Sequence, residues 1–270
     1  MWATAVGVAR VRALESERED ALFRDPLARA FAAAGGLWPS SPPPADEAAR
    51  RRRLGVAFSI VIRTRFLDDL LREAAVSGVR QVVLLGAGMD SRAFRMDWPE
   101  GTRLFEVDTA APLDFKASVL RRERALARCE RITVPVDLRE DWPRALAAAG
   151  HDPAARTVWI AEGLLIYLPE DAVELLLARI GAQSAPGSRM GLTLGSRGVI
   201  ERFGADAAPG SAASLWVSEM PDDPVDWLAG HGWEASSHTL RERAAAYGRP
   251  LGTPPRGEEG PGGLVSAVRR

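Results

Sequence analysis

Val82 to Leu85 is a continuous apolar run that ends abruptly at Gly86-Ala87-Gly88. A short run of this kind, closed by glycine, is the pattern of a strand buried on both faces. Gly86 and Gly88 remove side chains where the backbone must turn sharply and where a ligand can approach it closely. A second run, Arg103 to Val107, follows and ends on Asp108. A strand, a glycine turn and a second strand tipped by an acid form the layout of a nucleotide-type site. The carboxylate is then placed to accept two ribose hydroxyls.

The same stretch narrows the ligand. A dinucleotide fingerprint carries a third glycine, which packs helix against sheet around a pyrophosphate; here Ser91 follows instead. Its absence disfavours NAD and FAD and leaves S-adenosyl-L-methionine, which has no phosphate to cradle. A nicotinamide-dependent oxidoreductase remains an alternative on the glycine turn and Asp108 alone. It would lack a Tyr-x-x-x-Lys proton donor pair, since Lys116 is the sole lysine.

From Gln81 onward strands alternate with helices, which argues for a mostly parallel sheet covered on both faces. The expected strands are Gln81–Leu85, Arg103–Val107, Arg131–Val136, Thr157–Ala161, Arg189–Leu194, His231–His238 and Leu264–Val268. Helices are expected over Pro112–Cys129, Pro143–Ala149, Pro169–Gly181, Pro224–Ala229 and Leu240–Tyr247. Residues 1–78 read as a helical cap on the substrate side: a charged amphipathic helix over Leu14–Arg24, a new helix capped by Asp25 with Pro26 first, a loop over Phe31–Pro44, and a helix over Phe58–Ala75. The basic run Arg50–Arg53 reads as a solvated helix face. Residues 79–270 form the cofactor-binding domain, with an insertion at 195–221 that is either a substrate-facing lid or a surface loop.

Composition excludes several classes. A net charge of −1 gives no electrostatic footprint for nucleic acid or an anionic membrane. No apolar run approaches the ~20 residues that span a bilayer, and the N-terminus lacks the basic start of a signal peptide. The single Cys129 suits a reducing compartment such as the cytoplasm and has no His or Cys neighbours at metal spacing.

In a doubly wound sheet, ligands gather beyond the carboxyl ends of the strands. The first four strands end in Gly86-Ala87-Gly88, Asp108, Asp137-Leu138 and Glu162. Asp108 would take the ribose hydroxyls. Asp137 would accept from the adenine amine while the Leu138 amide donates to a ring nitrogen. Glu162 would hold the methionine ammonium, and Arg63 would fork onto the methionine carboxylate. Singly, a strand-end Asp is more often a helix cap and a helical arginine a surface ion pair. Four strand ends in the right order are harder to dismiss. Tyr167, after the fourth strand, would contact the acceptor or pack in the core. His151, His231 and His238 read as structural. With no evident general base, a carboxylate acceptor, already ionised near neutral pH, is favoured over an alcohol or phenol. A non-catalytic binding protein that kept the fold is the third alternative.

Gly86-Ala-Gly-Met-Asp-Ser-Arg92 with Phe105-Glu-Val-Asp108 resembles the leucine carboxyl methyltransferase-like (PPM-type) family of S-adenosylmethionine-dependent methyltransferases. The likeness is to its bacterial branch, which includes carboxyl and hydroxyl O-methyltransferases of polyketide and other secondary metabolism. Leu22-Phe-Arg-Asp-Pro-Leu27, Arg63-Thr-Arg-Phe-Leu-Asp68, Val136-Asp-Leu-Arg139 and Ala161-Glu-Gly-Leu-Leu-Ile-Tyr-Leu168 are similar to its further motifs. The resemblance implies an α/β class I (Rossmann-like) methyltransferase fold of seven strands. It implies cofactor contacts at Arg63, Gly86, Asp108, Asp137, Leu138 and Glu162, and a basic residue nearer the N-terminus, Arg10 or Arg12. Gly163 stands where eukaryotic members have cysteine, so their peptide-tail substrate does not carry over. The acceptor implied is a small acid or phenol, polyketide-like or peptidic.

Overall fold

The computed structural model describes residues 2–39, 43–195, 221–251 and 263–270. At its centre, among the described residues, is one seven-stranded sheet. The strands are β1 (Gln81–Leu85), β2 (Arg103–Asp108), β3 (Glu130–Pro135), β4 (Thr157–Ala161), β5 (Arg189–Thr193), β6 (Trp233–His238) and β7 (Leu264–Arg269). They lie in the order β3-β2-β1-β4-β5-β7-β6. Strands β1 to β5 run parallel, and β7 is antiparallel to both β5 and β6. The chain leaves β1 for β2 and β3 on one side and returns to β4 and β5 on the other. The crevice outside the carboxyl ends of β1 and β4 is therefore the topological switch point.

Every residue of β1 and β4 is buried, because helices cover both faces. Val82 and Leu84 face one core with Leu104, Val158 and Ile160; Val83 and Leu85 face the other with Phe105, Trp142 and Trp159. Burying one such aliphatic side chain contributes about 1.5–3 kcal/mol, so the sheet's centre is rigid and its carboxyl ends are fixed platforms.

The first core is closed by α1 (Trp2–Ser16), α2 (Ala28–Ala34) and α3 (Glu47–Val76). These bounds differ from the sequence expectation. The first helix lies over the apolar N-terminus rather than Leu14–Arg24, and Val6, Ala9, Arg12 and Ala13 are all buried. Asp25 does brace the next helix, accepting from Leu27 N at 3.2 Å and Ala28 N at 3.1 Å. That helix starts two residues beyond Pro26 and takes up Phe31–Ala34, part of the expected loop. The long helix begins eleven residues earlier than expected, capped by Asp46, which accepts from Ala49 N at 2.6 Å. Arg50, Arg51 and Arg53 are exposed on its first turns.

Helix α4 (Arg92–Arg95) follows the glycine turn, and α5 (Ala110–Arg122) follows β2. The expected helix to Cys129 stops at Arg122 because Arg124 adopts the left-handed conformation (φ 51°). Ala125 N then returns to Leu120 O at 3.0 Å and Arg124 N to Arg121 O at 3.2 Å, a Schellman ending built without glycine. On the second face, α6 (Trp142–Ala148), α7 (Glu170–Ala182) and α8 (Pro224–Gly230) cover the sheet, and α9 (Leu240–Ala246) precedes β7. Helix α3 crosses the sheet at Gly191 of β5, where a Cβ would lie 2.6 Å from Leu67 Cδ2. This close crossing is what brings Arg63 to the tip of β4. The expected insertion at 195–221 falls almost wholly outside the described residues.

Candidate functional site

The glycine turn is tied to β2 at its base. Gly86 N and Ala87 N donate to Val107 O at 2.9 and 3.2 Å. Gly86 and Gly88 both have positive φ, 65° and 43°, a conformation that favours glycine. A Cβ at Gly86 would stand 3.0 Å from Leu164 Cδ1, and one at Gly88 would stand 3.0 Å from Ala5 Cβ of α1. The turn is thus a bare strip of backbone with no room for side chains. Asp108 closes it: Oδ2 accepts from Gly88 N at 2.8 Å and Oδ1 from Thr109 N at 2.7 Å. A carboxylate offers about two acceptor positions per oxygen, so each oxygen keeps one unspent by these backbone bonds. Burial pushes the Asp108 carboxyl above its ordinary range, against the two N–H bonds that favour its ionised form.

At the tip of β4, Glu162 is gripped from two sides. Arg63 Nε donates to Oε1 at 3.1 Å, with Thr64 Oγ1 at 3.4 Å from the same oxygen. Arg92 Nη2 stands 2.9 Å from Oε2. Burial would raise the Glu162 carboxyl, but Arg92 and Arg63 outweigh it and hold it below its ordinary value. The Arg63 guanidinium lies over Gly163, where a Cβ would sit 3.0 to 3.3 Å from its atoms. Gly163 N donates to Thr193 Oγ1 at 2.6 Å, which pins the loop to β5.

The chain matches the model of the leucine carboxyl methyltransferase family over residues 5–181. A Streptomyces avermitilis protein whose name places it among the S-adenosyl-L-methionine-dependent methyltransferases is 88% identical, over 100% of this chain and 96% of that one. A Streptomyces coelicolor protein of the same name class is 85% identical over the same shares. The chain belongs to the leucine carboxyl methyltransferase family. It is an S-adenosyl-L-methionine-dependent methyltransferase, and the nicotinamide alternative falls away. Solved structures share its fold. A DUF574 family protein of S. avermitilis superposes with a TM-score of 0.59 at 13% identity, over 97% of this chain and 96% of that one. A Thermobifida fusca protein classed as a methyltransferase gives 0.53 at 17% identity, over 97% and 94%. The fold is the expected class I, Rossmann-like one.

The methyltransferase's other expected site residues are distributed unequally. Asp137 follows β3, and Val136 N donates to Asp108 O at 2.9 Å, so the two strand tips are adjacent. The Asp137 carboxylate is engaged by Arg139, through Nε at 3.0 Å and Nη2 at 2.6 Å. These bonds hold its carboxyl below the ordinary range. Leu138 is half-buried beside it. Tyr167 is half-buried and ends a 3-10 turn over Leu165–Tyr167, with its N–H on Leu164 O. Between the two N-terminal candidates, Arg12 is the residue that reaches the glycine turn. It donates to the Met89 carbonyl and pairs with Asp25 at 2.9 Å. Arg10 is half-buried and does not share those partners. His151 is buried on Thr157 between Phe105 and Trp159, and burial pushes it down to about 4. His231 pairs with Glu174 at 3.0 Å. His238 ends β6 beside Leu264, which pairs with Thr193, so it lies at the carboxyl end of the sheet, its ring edge-on to Phe66.

Sequence reasoning missed Asp68, Asp90 and Arg92. Arg92 is fully buried, and Asp68 beneath it is too. Both were visible as parts of motifs, but neither lies at a strand tip, where ligand contacts were sought.

Proposed function

We propose that this methyltransferase transfers the methyl group to a carboxylate of a small acid, polyketide-like or peptidic, giving a methyl ester. The match to the leucine carboxyl methyltransferase family carries this reading. The site's donor set fits the cofactor: a bare glycine turn, a carboxylate whose Oδ2 accepts only from Gly88 N and whose Oδ1 is shared only with Thr109, and an Arg–Glu pair complementary to an amino-acid zwitterion. In this reading Asp108 holds the ribose hydroxyls, and Gly86 lets the methionine part pass close to the backbone. Arg63 takes the carboxylate and Glu162 the ammonium. Asp137 and Leu138 meet the adenine, with Arg139 released from Asp137 as the amine arrives. When bound, the cofactor supplies an electrophilic methyl on a good leaving group. The chain's own part is alignment and exclusion of water. A carboxylate acceptor needs no proton removed. The helices of residues 1–78 bound the acceptor side, where Tyr167 contacts the acceptor.

A hydroxyl acceptor is the second reading, favoured by His238. It lies at the carboxyl end of the sheet, and burial lowers its pKa, with Arg243 in the same direction, which favours its neutral form. The two separate chemically. Purified enzyme with methyl-labelled cofactor and a panel of small acids and phenols should yield product whose label is released as methanol by mild alkali, and His238→Gln should leave that turnover intact. A base-stable ether product lost in His238→Gln would overturn the carboxyl reading.

A further inference from the structure

Glu162 is held on both oxygens, but its two arginines are not equivalent. Arg63 sits at the mouth, its side chain 19% exposed, above a residue with no side chain. Its guanidinium occupies the place a side chain at position 163 would take, at the solvent edge of the site. Arg92 is 1% exposed and saturated. Its Nε donates to Asp68 Oδ1 at 2.8 Å, its Nη1 to Asp90 Oδ2 at 2.5 Å, and its Nη2 faces Glu162 Oε2 at 2.9 Å. Asp68 is itself gripped by Arg95 through both terminal nitrogens, at 2.6 and 2.8 Å. Asp90 accepts a second bond from Arg92 N at 2.7 Å. One planar fork therefore joins α3, the end of the glycine turn and the tip of β4, and it is anchored on two carboxylates that cannot follow a ligand.

We infer that Arg92 is a positioning residue for the amino-acid end of the cofactor: it fixes the Glu162 carboxylate in place so that Arg63 is free to leave it. This rests on the reading of Glu162 as the ammonium acceptor. A zwitterion entering the Arg63–Glu162 pair puts its carboxylate on Arg63 and its ammonium on Glu162. As Arg63 turns away, Arg92 remains as the cation that neutralises Glu162 and sets the direction of its second oxygen. A guanidinium can do this because its donors are rigid and planar. An ammonium on a flexible stem presents all three donors from one atom. It cannot span Asp68, Asp90 and Glu162 together.

The test compares two probes that share the adenosine: S-adenosylhomocysteine, which carries the amino-acid end, and 5′-methylthioadenosine, which lacks it. Calorimetric dissociation constants are measured on the full chain for wild type, Glu162→Gln, Arg92→Lys and Asp90→Asn. Wild type should prefer S-adenosylhomocysteine, and Glu162→Gln should lose most of that preference. Arg92→Lys should weaken S-adenosylhomocysteine at least tenfold while methylthioadenosine stays within twofold. Asp90→Asn, which removes one anchor of the fork, should do the same to a smaller extent and serves if Arg92→Lys does not fold. If Glu162→Gln keeps the preference, the ammonium reading of Glu162 fails. If Glu162→Gln loses it and the Arg92 and Asp90 variants keep it, the inference about Arg92 alone fails. Equal weakening of both probes, or unfolding of both variants, would assign Arg92 to stability only and overturn its positioning role.

Discussion

Asp108→Asn replaces one carboxylate oxygen with an amino group and changes almost nothing in shape. In the native turn each oxygen already accepts one backbone N–H, from Gly88 at 2.8 Å and from Thr109 at 2.7 Å. Whichever way the amide flips, its NH2 faces one of those donors. The turn is left with an unsatisfied N–H, at a cost of about 1–3 kcal/mol. For a domain of this size that lowers Tm by about 2–4 °C per kcal/mol. The NH2 also loses its spare acceptor position, so one ribose hydroxyl loses a charged partner, worth about 1.5–3 kcal/mol. That predicts a rise of about 10- to 150-fold in the Kd for S-adenosylhomocysteine, with Asp108→Ala weaker still. Titration calorimetry with a parallel melting scan reads both numbers. A Tm drop with Kd within twofold of wild type would show that Asp108 braces the turn and takes no part in cofactor binding.

Two further predictions concern buried charge. Glu106 is fully buried, with Lys116 Nζ at 2.8 Å from one oxygen and Arg131 Nη2 at 2.6 Å from the other. Burial lowers the Lys116 pKa even beside this partner. Glu106→Gln removes the one carboxylate that both cations touch, leaving Lys116 only the more distant Asp90, and should cost about 3–5 kcal/mol, whereas Lys116→Met leaves Glu106 still paired with Arg131 and should cost less. Equal Tm losses in the two variants would sink this ordering. Acid unfolding follows from the acids around Arg92. Burial opposes ionisation in Asp68, Asp90 and Glu162, but the arginines win and all three carboxyls are held low, Asp90 at about 2. Depressed carboxyls stabilise the native state above the unfolded values near 4 and lose that contribution as pH falls through the folded ones, about 2 kcal/mol for Asp90 alone. Tm should decline from about pH 6.5, where the unfolded chain protonates the histidine that burial holds at about 4 in the native state, His151, and drop more steeply from about pH 4.5 toward pH 2. Asp90→Asn should shrink the drop; an unchanged profile in that variant would refute the assignment.

Strands β1 and β4 were the most legible because each is a short apolar run stopped by a polar or glycine residue, and burial on both faces demands such a run. The acids at their tips followed, since one strand end delivers one residue to the crevice. Helix α1 was not legible: Val6, Ala9, Arg12 and Ala13 bury a stripe that includes an arginine, and hydrophobic periodicity cannot anticipate that Asp25 and the Met89 carbonyl will satisfy it. The end of α5 was hidden for a similar reason. Arg124 takes a left-handed conformation that sequence reading reserves for glycine or asparagine.

The arginines make the sharper case. Arg63 and Arg92 each stand in a short motif that reads as cofactor-related; the motif resemblance placed Arg63 on the ligand and left Arg92 without a role. Burial decides. A side chain that must release a carboxylate and take another needs exposure and room, which the bare Gly163 leaves to Arg63. A side chain that must hold a carboxylate through that exchange needs partners that never leave, which Asp68 and Asp90 give to Arg92. The two roles require opposite environments for the same functional group, and those environments arise only once α3, crossing β5 closely, and α4, following the glycine turn, bring Arg63 and Arg92 onto one glutamate.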